Sequence, residues 1–301
     1  MSKIKNIYCF GTSFTKGGGF EFDINSEKSL FDIYSNLGEI PTQFNFSYPG
    51  QLQNLLTTAD LDITVHNFAK SGYGNERIYR IIWDLFNDKN FDVESTLFII
   101  EFSDIGRKEY YYTPLKDFII CNSHVDNDKL IFHGASHTYH STEHKKYNEL
   151  IDQNLYELEN FTNESIELVN QIKLALYNTH KLLGFLINNK SNIICTQPPQ
   201  CWGPPDSYQE KYHKYQLFDE YGYGILQYIR DNPSQVITNE TGGSYVDGHG
   251  GIVFSKTISS LLYNKMIDMK YIDKPHNILD FEKINNLKND ILKNIKSLDT
   301  I

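Results

Sequence analysis

Ile4-Lys5-Asn6-Ile7-Tyr8-Cys9-Phe10, closed by Gly11-Thr12-Ser13-Phe14-Thr15-Lys16-Gly17, is the stretch that decides the fold. A short β-prone run that stops at a glycine and opens into small polar residues reads as a strand followed by a tight turn. Three further runs share its character: Ile63 to Phe68, Thr96 to Phe102, and Asn192 to Thr196, the last halted by Pro198-Pro199. Near-continuous apolar runs of this length suit strands covered on both faces, as in a parallel sheet.

Helical spacing fills the intervals. Ile78, Ile81, Ile82 and Leu85 follow the second run. Ile166, Val169, Ile172, Leu176, Leu183 and Ile187 precede the fourth, and Ile258, Leu261, Leu262, Met266 and Met269 mark a late helix. Strands alternating with helices predict an α/β sandwich. Residues 20–47 carry little periodicity and read as a long loop or irregular insertion. Residues 106–146 form a second insertion, with weak strand signals around Phe118–Cys121 and Leu130–Phe132. Insertions in an α/β frame usually lie over the carboxyl ends of the strands, where ligands bind. The last 30 residues, with Lys-Asn-Asp-Ile-Leu-Lys-Asn-Ile-Lys at 288–296, read as a polar amphipathic helix. The expected organisation is one domain over residues 1–270, carrying both insertions, and a helical tail over 271–301.

Composition narrows the function classes. With 301 residues and 40% hydrophobic content the chain can bury a full core, and 14% aromatic residues is too rich for disorder. Lys+Arg 28 against Asp+Glu 38 leaves −10, which opposes a nucleic-acid backbone. No stretch reaches the roughly 18 consecutive apolar residues of a membrane span. The apolar run behind Lys3 and Lys5 is too short for a signal-peptide core, so a cytoplasmic setting, or another without secretion, is expected. Cys9, Cys121, Cys195 and Cys201 lack CxxC spacing, and Cys9 and Cys195 sit in apolar runs, as small buried hydrophobes in a reducing compartment would.

Three segments carry chemistry. Gly11-Thr12-Ser13 puts a hydroxyl in a turn at the end of the first strand. Gly17-Gly18-Gly19 is a weak candidate for a phosphate cradle, because neither G-x-G-x-x-G nor G-x-x-x-x-G-K-[ST] is present and no clear helix opens directly behind the glycines. Tyr245-Val246-Asp247-Gly248-His249-Gly250-Gly251 precedes the late helix. Serine needs a base to take its proton, histidine suits that task, and a carboxylate can fix the imidazole's tautomer. In an extended segment Asp247 and His249 share one side. Asn67-Phe68-Ala69-Lys70-Ser71-Gly72-Tyr73-Gly74-Asn75 offers backbone N–H groups at the mouth of a helix. Each segment alone also reads as an ordinary polar turn.

Together, and in this order, they resemble the conserved blocks of the SGNH/GDSL hydrolase family. Gly11-Thr12-Ser13-Phe14-Thr15-x-Gly17 resembles the nucleophile block, with Thr12 where Asp is usual. Asn67 through Gly72 resembles the second block, and Asp247-Gly248-His249 the last, as D-x-H instead of the common D-x-x-H. Tyr48-Pro49-Gly50-Gln51-Leu52 is similar to the start of that family's first helix. The resemblance covers the core strands and their loops, about half the chain. It implies a three-layer α/β/α sandwich with a parallel, flavodoxin-like sheet of about five strands. It implies an esterase with Ser13 as nucleophile, His249 as general base and Asp247 as its partner, and with no metal or organic cofactor. The amides of Ser13 and Gly72 become the oxyanion donors.

The third block departs from the pattern. Where the family has G-x-N-D, this chain has Glu101-Phe102-Ser103-Asp104, then Ile105-Gly106-Arg107. Losing one oxyanion donor costs on the order of 100- to 1000-fold in rate. Three readings stand: Ser103 substitutes, Arg107 or another donor fills the gap, or the enzyme is slow. Arg107 has a structural alternative in pairing with Glu101 or Glu109. Tyr73, Asn75, Arg107 and Trp202 are candidate substrate contacts. The tyrosines 110–112, with Trp202 and Tyr208, are candidates for a platform under sugar rings or for packing beneath a loop. The expected substrate is a small acyl group on a carbohydrate. An acyltransferase with the same triad and a non-catalytic carbohydrate-binding protein are the alternatives. A metal reading also exists, since His133, His137, His140 and His144 are spaced to line one helical face, but Gly134, Ser136, Thr138, Ser141 and Thr142 are poor helix formers.

Overall fold

The computed structural model describes residues 3–17, 43–70, 73–103, 107–112, 117–126, 129–135, 166–197, 212–218, 223–232 and 251–273. Within them the first apolar run forms β1 (Asn6–Phe10), and the runs downstream form β2 (Thr64–Asn67), β3 (Thr96–Glu101) and β8 (Asn192–Gln197). These pair in parallel in the order β2-β1-β3-β8. Beyond β8, Cys195 donates to Tyr215 O and accepts from Leu217 N, so residues 215–217 lie along the edge as a single bridge. The α/β expectation is met, with four full strands and this fragment beside them.

Alternation along each strand sends side chains to two separate cores. Ile7, Cys9, Leu97, Ile99 and Ile194 face one side. There they pack against Tyr48, Leu52 and Leu56 of α3 (Tyr48–Thr58), Ile225 and Ile229 of α6 (Ile225–Asp231), and Ile258, Leu262 and Met266 of α7 (Ile252–Asp268). Phe10, Phe98, Ile100, Ile193 and Cys195 face the other. They meet Ile78 and Ile82 of α4 (Asn75–Asn87), and Leu182, Leu183 and Leu186 of α5 (Leu168–Asn188). Period 2 in the strands and helical spacing outside them thus build helical layers on both faces of the sheet.

Phe98 lies at the centre of the second core, fully buried, with the rings of Phe10, Phe86 and Phe91 at centroid distances of 6.1, 6.1 and 6.0 Å. Phe98→Ala is expected to cost about 3–5 kcal/mol, the usual penalty for emptying a well-packed aromatic site. A lowered urea midpoint at unchanged slope checks it.

Local chemistry sets the element ends. The Ser47 hydroxyl accepts from Gly50 N at 3.3 Å and caps α3, whose second residue is Pro49. The segment before it, within the expected 20–47 loop, holds a one-turn helix, α2 (Gln43–Phe46). Past α7, Tyr271 still belongs to the body of the domain: its hydroxyl donates to Ile193 O at 3.3 Å and accepts from Ile193 N at 3.2 Å. The 288–296 segment lies outside the described residues.

The 106–146 insertion contains more order than its weak strand signals suggest. β4 (Lys108–Tyr112), β5 (Asp117–Asp126), β6 (Lys129–Ala135) and β7 (Ile166–Glu167) form a second, antiparallel sheet in that order. This corrects two expectations. Ile166 is a strand residue paired with Leu130, so the helical period before β8 begins only at Leu168. His133 stands in β6 opposite Asn122, so the helical-face reading of the histidine cluster fails at its first member. His137, His140 and His144 lie outside the described residues. Among the described residues no group of three or more His, Cys, Asp or Glu is placed to hold a metal, and no helix is long and apolar enough to cross a membrane.

Candidate active site

β1 lies between β2 and β3, so the chain leaves it in one direction for β2 and returns across it for β3. In open α/β sheets that reversal opens a crevice at the carboxyl ends, where ligands bind. Three loops converge there, and Ser13 is in the first of them. It opens a four-residue helical turn, α1 (Ser13–Lys16), that closes on Gly17 at φ 90°, a left-handed conformation suited to glycine. Ser13 is 9% exposed.

The loop after β2 is tied to this turn. Asn67 Nδ2 donates to Thr15 O at 3.0 Å, and Lys70 N donates to Gly11 O at 3.1 Å. Those two bonds bring the chain alongside the Ser13 turn just ahead of Gly72, which itself lies outside the described residues. Tyr73 is buried, with the Lys70 ammonium 4.4 Å and the Arg77 guanidinium 5.4 Å from its ring centre. At the start of α4 a β-carbon on Gly74 would sit 2.6 Å from the Arg107 carbonyl oxygen, so the absence of a side chain lets the insertion pass close. Arg107 is half-buried.

The third loop follows β3. Asn75 is buried and its amide grips the backbone of Ser103 from both sides: Ser103 N donates to Oδ1 at 2.6 Å, and Nδ2 donates to Ser103 O at 3.1 Å. Ser103 is 3% exposed, and its hydroxyl is a buried oxygen with no hydrogen-bond partner among the described residues. Buried hydroxyls are normally satisfied, so an orphan held rigidly at the crevice has a donor to offer.

Glu101, the last residue of β3, is the group that sequence reasoning missed. Its carboxylate is 2% exposed and accepts from Thr12 N at 3.2 Å, from Thr15 N at 2.9 Å, and from the hydroxyls of both threonines. Thr12 and Thr15 are its partners among the described residues, so of the two carboxylates considered for Arg107, Glu101 and Glu109, the first is committed elsewhere. Burial raises its pKa, and the four hydrogen bonds pull the other way. Behind it the Tyr48 hydroxyl lies 2.7 Å from Thr15 Oγ1 and 3.4 Å from Thr196 Oγ1. The β3–β8 register slips between Ile100 and Glu101, beside Thr196. Such irregularities re-aim side chains near functional sites. A signal was present in the sequence: one carboxylate ending a run of buried apolar residues, a place where charge is rare unless paired.

α7 supplies the remaining direction. Ser259 donates to the carbonyl of Tyr48, whose ring reaches the Ser13 turn, and Tyr271 beyond the helix binds Ile193 at the start of β8. The helix therefore runs from the carboxyl end of the sheet to its amino end. Its first residue, Ile252, projects about 10 Å past Ser259 on the crevice side. Asp247 and His249 immediately precede this helix in the sequence; they and Trp202 lie outside the described residues.

The two buried thiols take no part. Burial pushes Cys9 well up and Cys195 up to about 12, so both stay protonated near neutrality. No protein-family model, no curated protein and no solved structure matches the chain.

Proposed function

We propose that this protein is a serine hydrolase that cleaves an acyl ester, with a small acyl group on a carbohydrate as the favoured substrate. Ser13 attacks the ester carbonyl while His249, oriented by Asp247, removes its proton. The alcohol leaves with that proton, and water, deprotonated by the same imidazole, releases the acyl group from Ser13. The amides of Ser13 and Gly72 hold the oxyanion, and the Ser103 hydroxyl takes the part of the missing Asn side chain. One observation carries the reading: Ser13 stands in a turn at the carboxyl end of the strand where the sheet reverses direction. The Ser103 hydroxyl, unpartnered among the described residues, and the start of α7 on the crevice side support it.

A fluorophosphonate probe tests this directly. Covalent labelling of the folded protein, mapped to the peptide bearing Ser13, is the expected result; a folded protein that remains unlabelled overturns the reading. Ser103→Ala is expected to lower kcat for p-nitrophenyl acetate by roughly 10- to 100-fold with little change in KM, the pattern of a contact made in the transition state. Equal kcat would remove Ser103 from the oxyanion site.

A further inference from the structure

We propose that Glu101 is the positioning residue of the nucleophile turn, its carboxylate clamping Thr12 and Thr15 on either side of Ser13. The consequence for rate rests on the hydrolase reading, whereas the clamp itself rests on geometry.

The hydrogen bonds of the turn show how the clamp works. Thr12 N and Thr15 N both go to the Glu101 carboxylate. Lys16 N goes to Thr12 O at 3.0 Å and Gly17 N to Ser13 O at 2.9 Å. The amide of Ser13 has no partner among the described residues. The carboxylate thus absorbs the donors flanking the nucleophile and leaves the nucleophile's own donor for an incoming oxyanion. A carboxylate suits this task because it accepts at up to about four lone-pair sites and donates nothing. An amide side chain matches only half of them.

Two neighbours are shaped around this group. A β-carbon on Gly11 would lie 2.5 Å from Glu101 Oε2 and 2.7 Å from Glu101 Cβ, so the carboxylate passes over position 11 only because no side chain stands there. Thr15 Oγ1, which donates to Glu101, is in turn within 2.7 Å of the Tyr48 hydroxyl, so α3 braces the clamp from behind. A buried carboxylate is costly to desolvate, and here every donor that compensates it among the described residues comes from the turn carrying Ser13.

Glu101→Gln tests the proposal with nearly the same shape. One amide oxygen can still accept where Oε2 does, and the amide nitrogen then faces Thr12 Oγ1. In the 301-residue chain, hydrogen exchange of peptides covering residues 8–17 reports on the turn, and fluorophosphonate labelling rate with kcat and KM reports on Ser13. The expected result is faster exchange at 8–17 with unchanged exchange in β3 and β8. With it, labelling rate and kcat should fall about 100-fold and KM stay within about threefold, the effect of a nucleophile displaced by an ångström or less. Glu101→Ala should give the same pattern, more strongly if it folds. Unchanged exchange at 8–17 in Glu101→Gln overturns the clamp. So does labelling at the wild-type rate. A folded wild-type protein that takes no label refutes the hydrolase reading instead, and the exchange measurement then decides the clamp by itself.

Discussion

Ser13→Ala and His249→Ala should each abolish turnover of p-nitrophenyl acetate, with kcat falling by a factor on the order of ten thousand or more. The two losses should not multiply in the double variant, because a nucleophile and its base act as one unit. Neither change should unfold the domain at Ser13's end: its hydroxyl makes no hydrogen bond among the described residues, so its removal orphans no buried group among them. Circular dichroism and thermal melting of the variants separate lost chemistry from lost fold. Full activity in His249→Ala would remove the base assignment; full activity in Ser13→Ala would remove the nucleophile.

The second large effect is structural. Gly11→Ala should destabilise the domain by about 3 kcal/mol, at the upper end for forcing atoms into a packed interior. The new β-carbon would meet Thr15 Oγ1 at 2.4 Å, Glu101 Oε2 at 2.5 Å and Glu101 Cβ at 2.7 Å. None of these can swing aside. The carboxylate is held by two backbone amides and two hydroxyls, and its β-carbon is fixed by the backbone of β3. The turn carrying Ser13 must therefore shift, so labelling by a fluorophosphonate should fall together with the urea midpoint. Gly184→Ala is the matched control. It lies inside α5, where among the described residues an added methyl meets only the Tyr212 hydroxyl, at 3.8 Å. Replacing a helical glycine there should stabilise by about 0.5–1 kcal/mol. A Gly11→Ala variant as stable as wild type would contradict the close approach of Glu101.

Much of the frame can be read directly from residue order. Asn6–Phe10, Thr96–Glu101 and Asn192–Gln197 coincide closely with apolar runs, because strands buried on both faces leave little room for polar residues away from their ends. The second sheet was harder to read. β4 to β7 are antiparallel strands with mixed composition, and the pairing of Ile166 with Leu130 joins segments far apart in the chain, which no local period announces. Asn75 was legible as a polar residue beside the crevice. Its bidentate hold on the Ser103 backbone was not, because that contact crosses from α4 to the end of β3. Glu101 showed the same limit: its role went unread, because its partners stand 89 and 86 residues upstream.

The sequence by itself determined the α/β alternation, the candidate nucleophile in its turn and the candidate base ahead of the last core helix. Burial pattern and local turn chemistry act over a few residues, so they are written in neighbouring letters. Only the tertiary structure decided that β1 runs between β2 and β3, that the Ser103 hydroxyl is buried with no partner among the described residues, and that a buried carboxylate grips the turn from behind. Those features depend on which distant segments the packed sheet brings within hydrogen-bonding range, and that is a property of the whole fold.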